Sequence, residues 1–131
     1  MTPDLAARQP GFRHFHDQLD ELKQRLLTMS ERAESLVNLA VESLLLRDSD
    51  KAETVIAGDR DVDKLEIEIE AMAVELLALQ QPMARDLRFI ISAIKASSDL
   101  ERVGDHAVDI AQSVLRIIAS KRHITPDAAI E

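Results

Sequence analysis

Glu101 and Asp105 stand four residues apart in the stretch Asp99-Leu100-Glu101-Arg102-Val103-Gly104-Asp105-His106-Ala107. On a helix that spacing stacks the two carboxylates one turn above each other, and like charges so placed repel unless a cation lies between them or water screens them. A second acidic line, Asp59, Asp63, Glu66 and Glu70, is spaced four, three and four, so its carboxylates lean to one side of a helix of their own. Ligands that offer only oxygen suit hard cations such as Mg, Ca, Mn or iron and argue against zinc. The plainer reading of both lines is the solvated flank of an amphipathic helix, with Arg102 and Lys95 available to Asp99, and Arg60 and Lys64 compensating the second line. His14 and His16 are poorly placed to share a metal, because side chains so close together on a helix diverge, and they read as exposed entry residues.

The carboxylates need long helices to hold them, and the apolar pattern supplies three. Phe15, Leu19, Leu22, Leu26, Met29, Ala33, Leu36, Ala40 and Ser43 alternate by four and three, which is a heptad seam. Arg47-Asp48-Ser49-Asp50 ends that pattern, and Asp50-Lys51-Ala52-Glu53 resembles a capping box with Asp50 in the cap position. The second seam is Val55, Gly58, Val62, Leu65, Ile69, Met72, Leu76 and Leu79, beside which the second acidic line runs. Gln80-Gln81-Pro82 breaks it, Pro82 suits the first turn of a third helix, and so short a connection folds that helix back antiparallel.

Along the third helix, projection at about 100° per residue puts Met83, Leu87, Ile90, Ile91 and Ile94 on one face and Leu100, Val103, Ala107, Ile110, Val114 and Ile117 nearly opposite. The first face continues through Ser98 to Glu101, Asp105 and Asp109. The stretch from Asp86 to Asp109 therefore reads as one helix that changes character halfway, with carboxylates taking over positions where isoleucines were buried. The predicted fold is all-α, an up-down-up bundle of three long antiparallel helices over residues 12–120, preceded by a mobile leader at 1–11. Residues 121–131 form a tail in which Thr125, Pro126 and Asp127 suit the start of a fourth helix.

Composition agrees with helices. Of 131 residues, 46% are hydrophobic and only 2% aromatic, so Leu, Ile, Val, Met and Ala must make the core. A net charge of -8 gives little support to counterion-release binding of nucleic acid. The absence of cysteine removes disulfides, zinc-thiolate sites and thiol nucleophiles together. The amino terminus has no signal-peptide pattern and no apolar run approaches the length of a membrane span, so a soluble cytoplasmic protein without membrane insertion is expected.

Gln80-Gln81-Pro82, Ala84-Arg85-Asp86-Leu87-Arg88 and Asp99 to Ala107 together resemble the PhoU family of phosphate-transport regulators. The similarity extends from about Phe15 to Ile117 and includes Gly58-Asp59-Arg60-Asp61-Val62-Asp63. The resemblance implies metal binding through Glu/Asp-x-x-x-Asp motifs, which Glu101–Asp105 and Asp59–Asp63 fit, with multinuclear iron or other divalent cations as the cargo. It brings in Asp86 as a secondary candidate ligand and Arg88 as a contact for partners. The implied partners are the ATPase subunit of the phosphate transporter and the sensor histidine kinase of the phosphate response, with transcription of phosphate genes regulated through the latter. Family members usually have two such three-helix units, and this chain carries one set of motifs.

Two rival classes stand beside that expectation. A carboxylate-bridged di-metal enzyme also uses inward carboxylates in a helical bundle, but it normally requires Glu-x-x-His, which does not occur here. A metal-free helical adaptor would use the same acidic faces for contact alone. If the third helix has two opposed apolar faces, its own bundle covers only one. Leu87, Ile91 and Ile94 are then the surface on which a second copy packs, giving a homodimer or higher oligomer.

Overall fold

The three expected helices form. The computed structural model describes residues 10–80 and 82–123, which fold into α1 (Pro10–Leu46), α2 (Ser49–Gln80) and α3 (Ala84–His123), each packed against both of the others. There is no strand among the described residues. The first helix begins at Pro10 and the third runs to His123, slightly beyond the expected limits of 12 and 120. Most of the expected leader and tail, with the proposed fourth helix, lies outside the described residues.

The first two seams are buried as their spacing predicts. Leu22, Met29 and Ala40 of α1 and Val55, Val62, Ile69 and Leu76 of α2 are fully enclosed, with Leu26, Leu65 and Met72 half-buried against them. Burying side chains of this size contributes roughly 1.5–3 kcal/mol each, and the seam rather than helix propensity therefore holds the helices together.

The third helix departs from its expected form. Its buried line is Ile90, Ala93, Ser97, Gly104, Ala107, Ala111 and Val114, a single seam with half-buried Leu100 completing the rhythm of three and four. Val103 and Ile117, expected in the second buried face, are exposed, as are Met83, Leu87 and Ile91 of the first. There is thus no change of character halfway, and the line leading to Glu101 and Asp105 is a flank of the seam, exposed at Leu87 and Ile91 and half-buried at Ile94 and Ser98. The reason is supercoiling: a seam that repeats every seven residues drifts by about 20° per heptad from a straight 100° projection, so its two ends project onto different faces. Ile90 and Val114 belong to one stripe.

Small residues make the seam of α3 narrow. Ser43 and Ser97 are buried without cost because each hydroxyl donates to a carbonyl one turn back, Ala40 at 2.7 Å and Ile94 at 2.8 Å. Polar cross-links sit at the margins: Arg25 of α1 pairs with Glu68 of α2 as well as with its own Glu21, and Arg32 reaches Asp61 at 3.3 Å. The ammonium of Lys23 lies 5.3 Å from the centre of the Phe89 ring, linking α1 to α3.

The turns also correct two details. Arg47 ends α1 in the left-handed region with φ 53°, and the Asp48 N–H donates to the Ser43 carbonyl at 3.0 Å. Asp48, not Asp50, caps α2, its Oδ1 accepting from the Lys51 N–H at 3.1 Å. The chain reverses within Arg47 and Asp48, so α2 has already begun at Ser49 and Asp50 falls in its first turn. At the other turn Pro82 stays outside the helix, and the Met83 carbonyl accepts from the Leu87 N–H at 2.8 Å, which starts α3 two residues beyond the proline.

Candidate metal centre

Because α2 and α3 run antiparallel, the Glu101–Asp105 flank of α3 meets the acidic flank of α2 partway along the bundle. Asp59 and Asp63, one turn apart on α2, and Asp105 on α3 each offer a carboxylate oxygen, and these atoms lie within 4.8 Å of one another. Asp59 and Asp63 are half-buried while Asp105 is exposed, so the group is closed on the bundle side and open to solvent on the other. Metal–oxygen bonds of about 2.0–2.6 Å place the oxygens around one cation no more than about 5 Å apart, which matches this spacing.

The electrostatics are those of carboxylates without a counter-charge. The Oδ1 atoms of Asp59 and Asp63 are shut off from solvent, and neither accepts a hydrogen bond from any protein group. Burial, reinforced by Asp63 and Asp105, pushes Asp59 up to about 6. A hydrogen bond with Asp105, then burial and the charges of Asp105, Glu66 and Asp63, lift Glu101 to about 7. Glu66 is raised too, by burial and by Glu70, Asp63 and Asp105. The basic residues expected to compensate the second acidic line do not: among the described residues no Lys or Arg pairs with Asp59, Asp63, Glu101 or Asp105, and Arg102 turns to Asp99 at 3.8 Å. An unpartnered buried acceptor costs roughly 1–3 kcal/mol, more when charged, and a cation placed among these oxygens removes that cost.

Helix α3 can come this close because residue 104 is glycine. Gly104 is buried, and a Cβ built on it would stand 2.6 Å from Asp59 Oδ1 and 3.5 Å from Val62 Cγ1. Ordinary carbon–oxygen contact requires more than 3 Å, so only glycine leaves the Asp59 carboxylate where it is.

The structure gathers some of the candidates and separates others. Asp59, Asp63 and Asp105 form the group, and Glu101 borders it through Asp105. Glu66, noted in the acidic line but not singled out as a ligand, belongs to the same electrostatic neighbourhood, a role that its position three residues after Asp63 makes legible. Asp86 is half-buried in the first turn of α3, and at about 1.5 Å per residue it lies about 28 Å along the helix from Asp105. It does not join them. Arg88, Leu87 and Ile91 are exposed, whereas Ile94 is half-buried against the core.

Comparison with known proteins identifies the family. Residues 26–114 match the family model described as the PhoU domain. A phosphate-specific transport system accessory protein PhoU homolog from Clostridium acetobutylicum is 42% identical over 83% of this chain and 50% of its own length. Homologs of the same description from Aquifex aeolicus and Caulobacter vibrioides are 37% and 41% identical over 83% and 77% of this chain, and 49% and 44% of their own lengths. The chain thus spans about half the length of the curated relatives it matches. With the family model covering both acidic motifs and the glycine between the helices, the chain belongs to the PhoU family.

Proposed function

We propose that this chain is a PhoU-type regulator of phosphate uptake and phosphate signalling, a helical adaptor that holds an oxygen-liganded cation on its α2–α3 face. The observation that carries the metal is the convergence of Asp59 and Asp63, each with a buried, unpartnered oxygen, on Asp105. Asp59, Asp63 and Asp105 hold the cation, Glu101 extends the set, and iron, Mn, Mg or Ca all suit the donors. When bound, the cation supplies positive charge that ties α2 to α3 and neutralises the patch. The role is regulatory rather than enzymatic, in keeping with relatives that are described as accessory proteins of phosphate-specific transport. Its partners by family resemblance are the transporter ATPase and the sensor histidine kinase, met in the cytoplasm. No described helix is long and apolar enough to cross a membrane.

The deciding experiment is metal analysis of the purified chain and of two double variants, D59N/D63N and E101Q/D105N. These changes remove charge with little change of volume. Loss of the bound cation with helix content intact is expected for the first pair and weakened binding for the second, while unchanged stoichiometry in both overturns the assignment of these ligands, and an unaltered chain that carries no cation leaves a metal-free adaptor.

A further inference from the structure

Gly104 occupies a buried position of α3 that abuts a carboxylate. Its missing Cβ is the space into which Asp59 Oδ1 fits, and both that oxygen and the Asp63 Oδ1 one turn along α2 are sealed from solvent. Gly58 provides the contrast. It lies on α2 directly before Asp59, yet a Cβ there would meet Leu36 Cδ2 of α1 at 3.0 Å, a hydrocarbon contact with α1 rather than a polar one with α3. One glycine therefore serves packing between α1 and α2, and the other houses a charged group between α2 and α3.

From this contrast we infer that Gly104 is a positioning residue for the cation site: by having no side chain it holds the Asp59 carboxylate in the α2–α3 cleft, turned towards Asp63 and Asp105. The inference rests on the cation reading above. A Cβ at residue 104 would stand 2.6 Å from the Asp59 oxygen, its nearest obstacle, and turning that side-chain carboxylate aside relieves the clash without moving a helix. Rotation removes one of three converging ligands without changing any ligand's identity. Alanine is otherwise the better residue in the middle of a helix, so a purely helical effect and a site effect have opposite signs.

The test uses G104A, D59A and the double variant D59A/G104A, with Mn2+ titration by calorimetry and thermal melting of the metal-free chains. G104A is expected to weaken Mn2+ binding by roughly tenfold to a hundredfold, the range seen when groups that orient metal ligands are changed. In the D59A background, where the obstructing carboxylate is gone, the same glycine-to-alanine change is expected to raise the melting temperature. G58A, which meets only Leu36, is expected to keep the affinity of the unaltered chain. Should G104A fold poorly, rescue by D59A still identifies the carboxylate as what the glycine accommodates. Mn2+ binding by G104A equal to that of the unaltered chain overturns the inference alone, as does a destabilisation by G104A that is the same with and without Asp59. An unaltered chain that takes up no Mn2+ overturns the cation reading beneath it as well.

Discussion

At the scale of single residues, the acidic cluster places a pH-dependent load on the fold. Asp59 and Glu101 hold their protons to about 6 and about 7, above the ordinary 3.8 and 4.5 of an unfolded chain. Between pH of about 4 and 7 the folded state then binds more protons than the unfolded one, so stability decreases as pH rises through that window. The metal-free chain is expected to melt at a higher temperature at pH 5 than at pH 8, and D59N/E101Q should flatten the difference. A melting temperature that instead climbs from pH 5 to 8 in metal-free buffer contradicts the arrangement of these carboxylates. Added cation should reverse the trend, because a ligand-bound carboxylate is ionised and binding strengthens as protons leave.

The helices are set by short-range devices as well as by their seams, and the clearest is the turn between α1 and α2. Arg47 adopts φ 53°, a conformation that costs an L-residue roughly 1–2 kcal/mol and glycine very little. R47G should accordingly stabilise the chain by about 1 kcal/mol in urea unfolding. D48A, which deletes the side-chain acceptor for the Lys51 N–H, should cost about 1 kcal/mol. Asp50 was the cap expected from spacing, and D50A, which leaves that acceptor in place, should cost less than D48A. Equal losses for the two would return the cap to Asp50. The competing positions read alike in sequence because both are aspartates followed three residues on by a residue whose N–H needs an acceptor. Only the left-handed Arg47 selects Asp48.

At the scale of the whole molecule, the three-helix unit leaves apolar side chains exposed among the described residues. Met83, Leu87 and Ile91 are 78%, 37% and 54% exposed on the same flank of α3 as the acidic cluster. A homodimer through this flank is proposed, and L87K/I91K is expected to yield a monomer by light scattering where the unaltered chain is a dimer. Leu44 and Leu45, near the end of α1, form a second exposed apolar stretch that sequence periodicity had not singled out. If L44K/L45K dissociates the dimer and L87K/I91K does not, the contact lies at the end of α1 instead.

What the sequence determined by itself was local and periodic. The three helices, the seams of α1 and α2, the two tight reversals and the Glu/Asp-x-x-x-Asp spacing all follow from residue type and interval, because an α-helix converts interval directly into direction. Packing between helices decided the rest. Which flank of α3 faces α2 depends on a supercoil that a straight projection does not contain, and so the isoleucines were assigned to a buried face that is in fact one narrow seam with exposed neighbours. Asp105 stands 42 residues or more along the chain from Asp63 and Asp59 and on another helix, and the convergence of the three, like the Cβ that Gly104 must lack, exists only once α2 and α3 have met. Asp86 shares a helix and a family motif with Asp105 but is held away by the rigidity of that helix, a separation set by the rise per residue and untouched by packing.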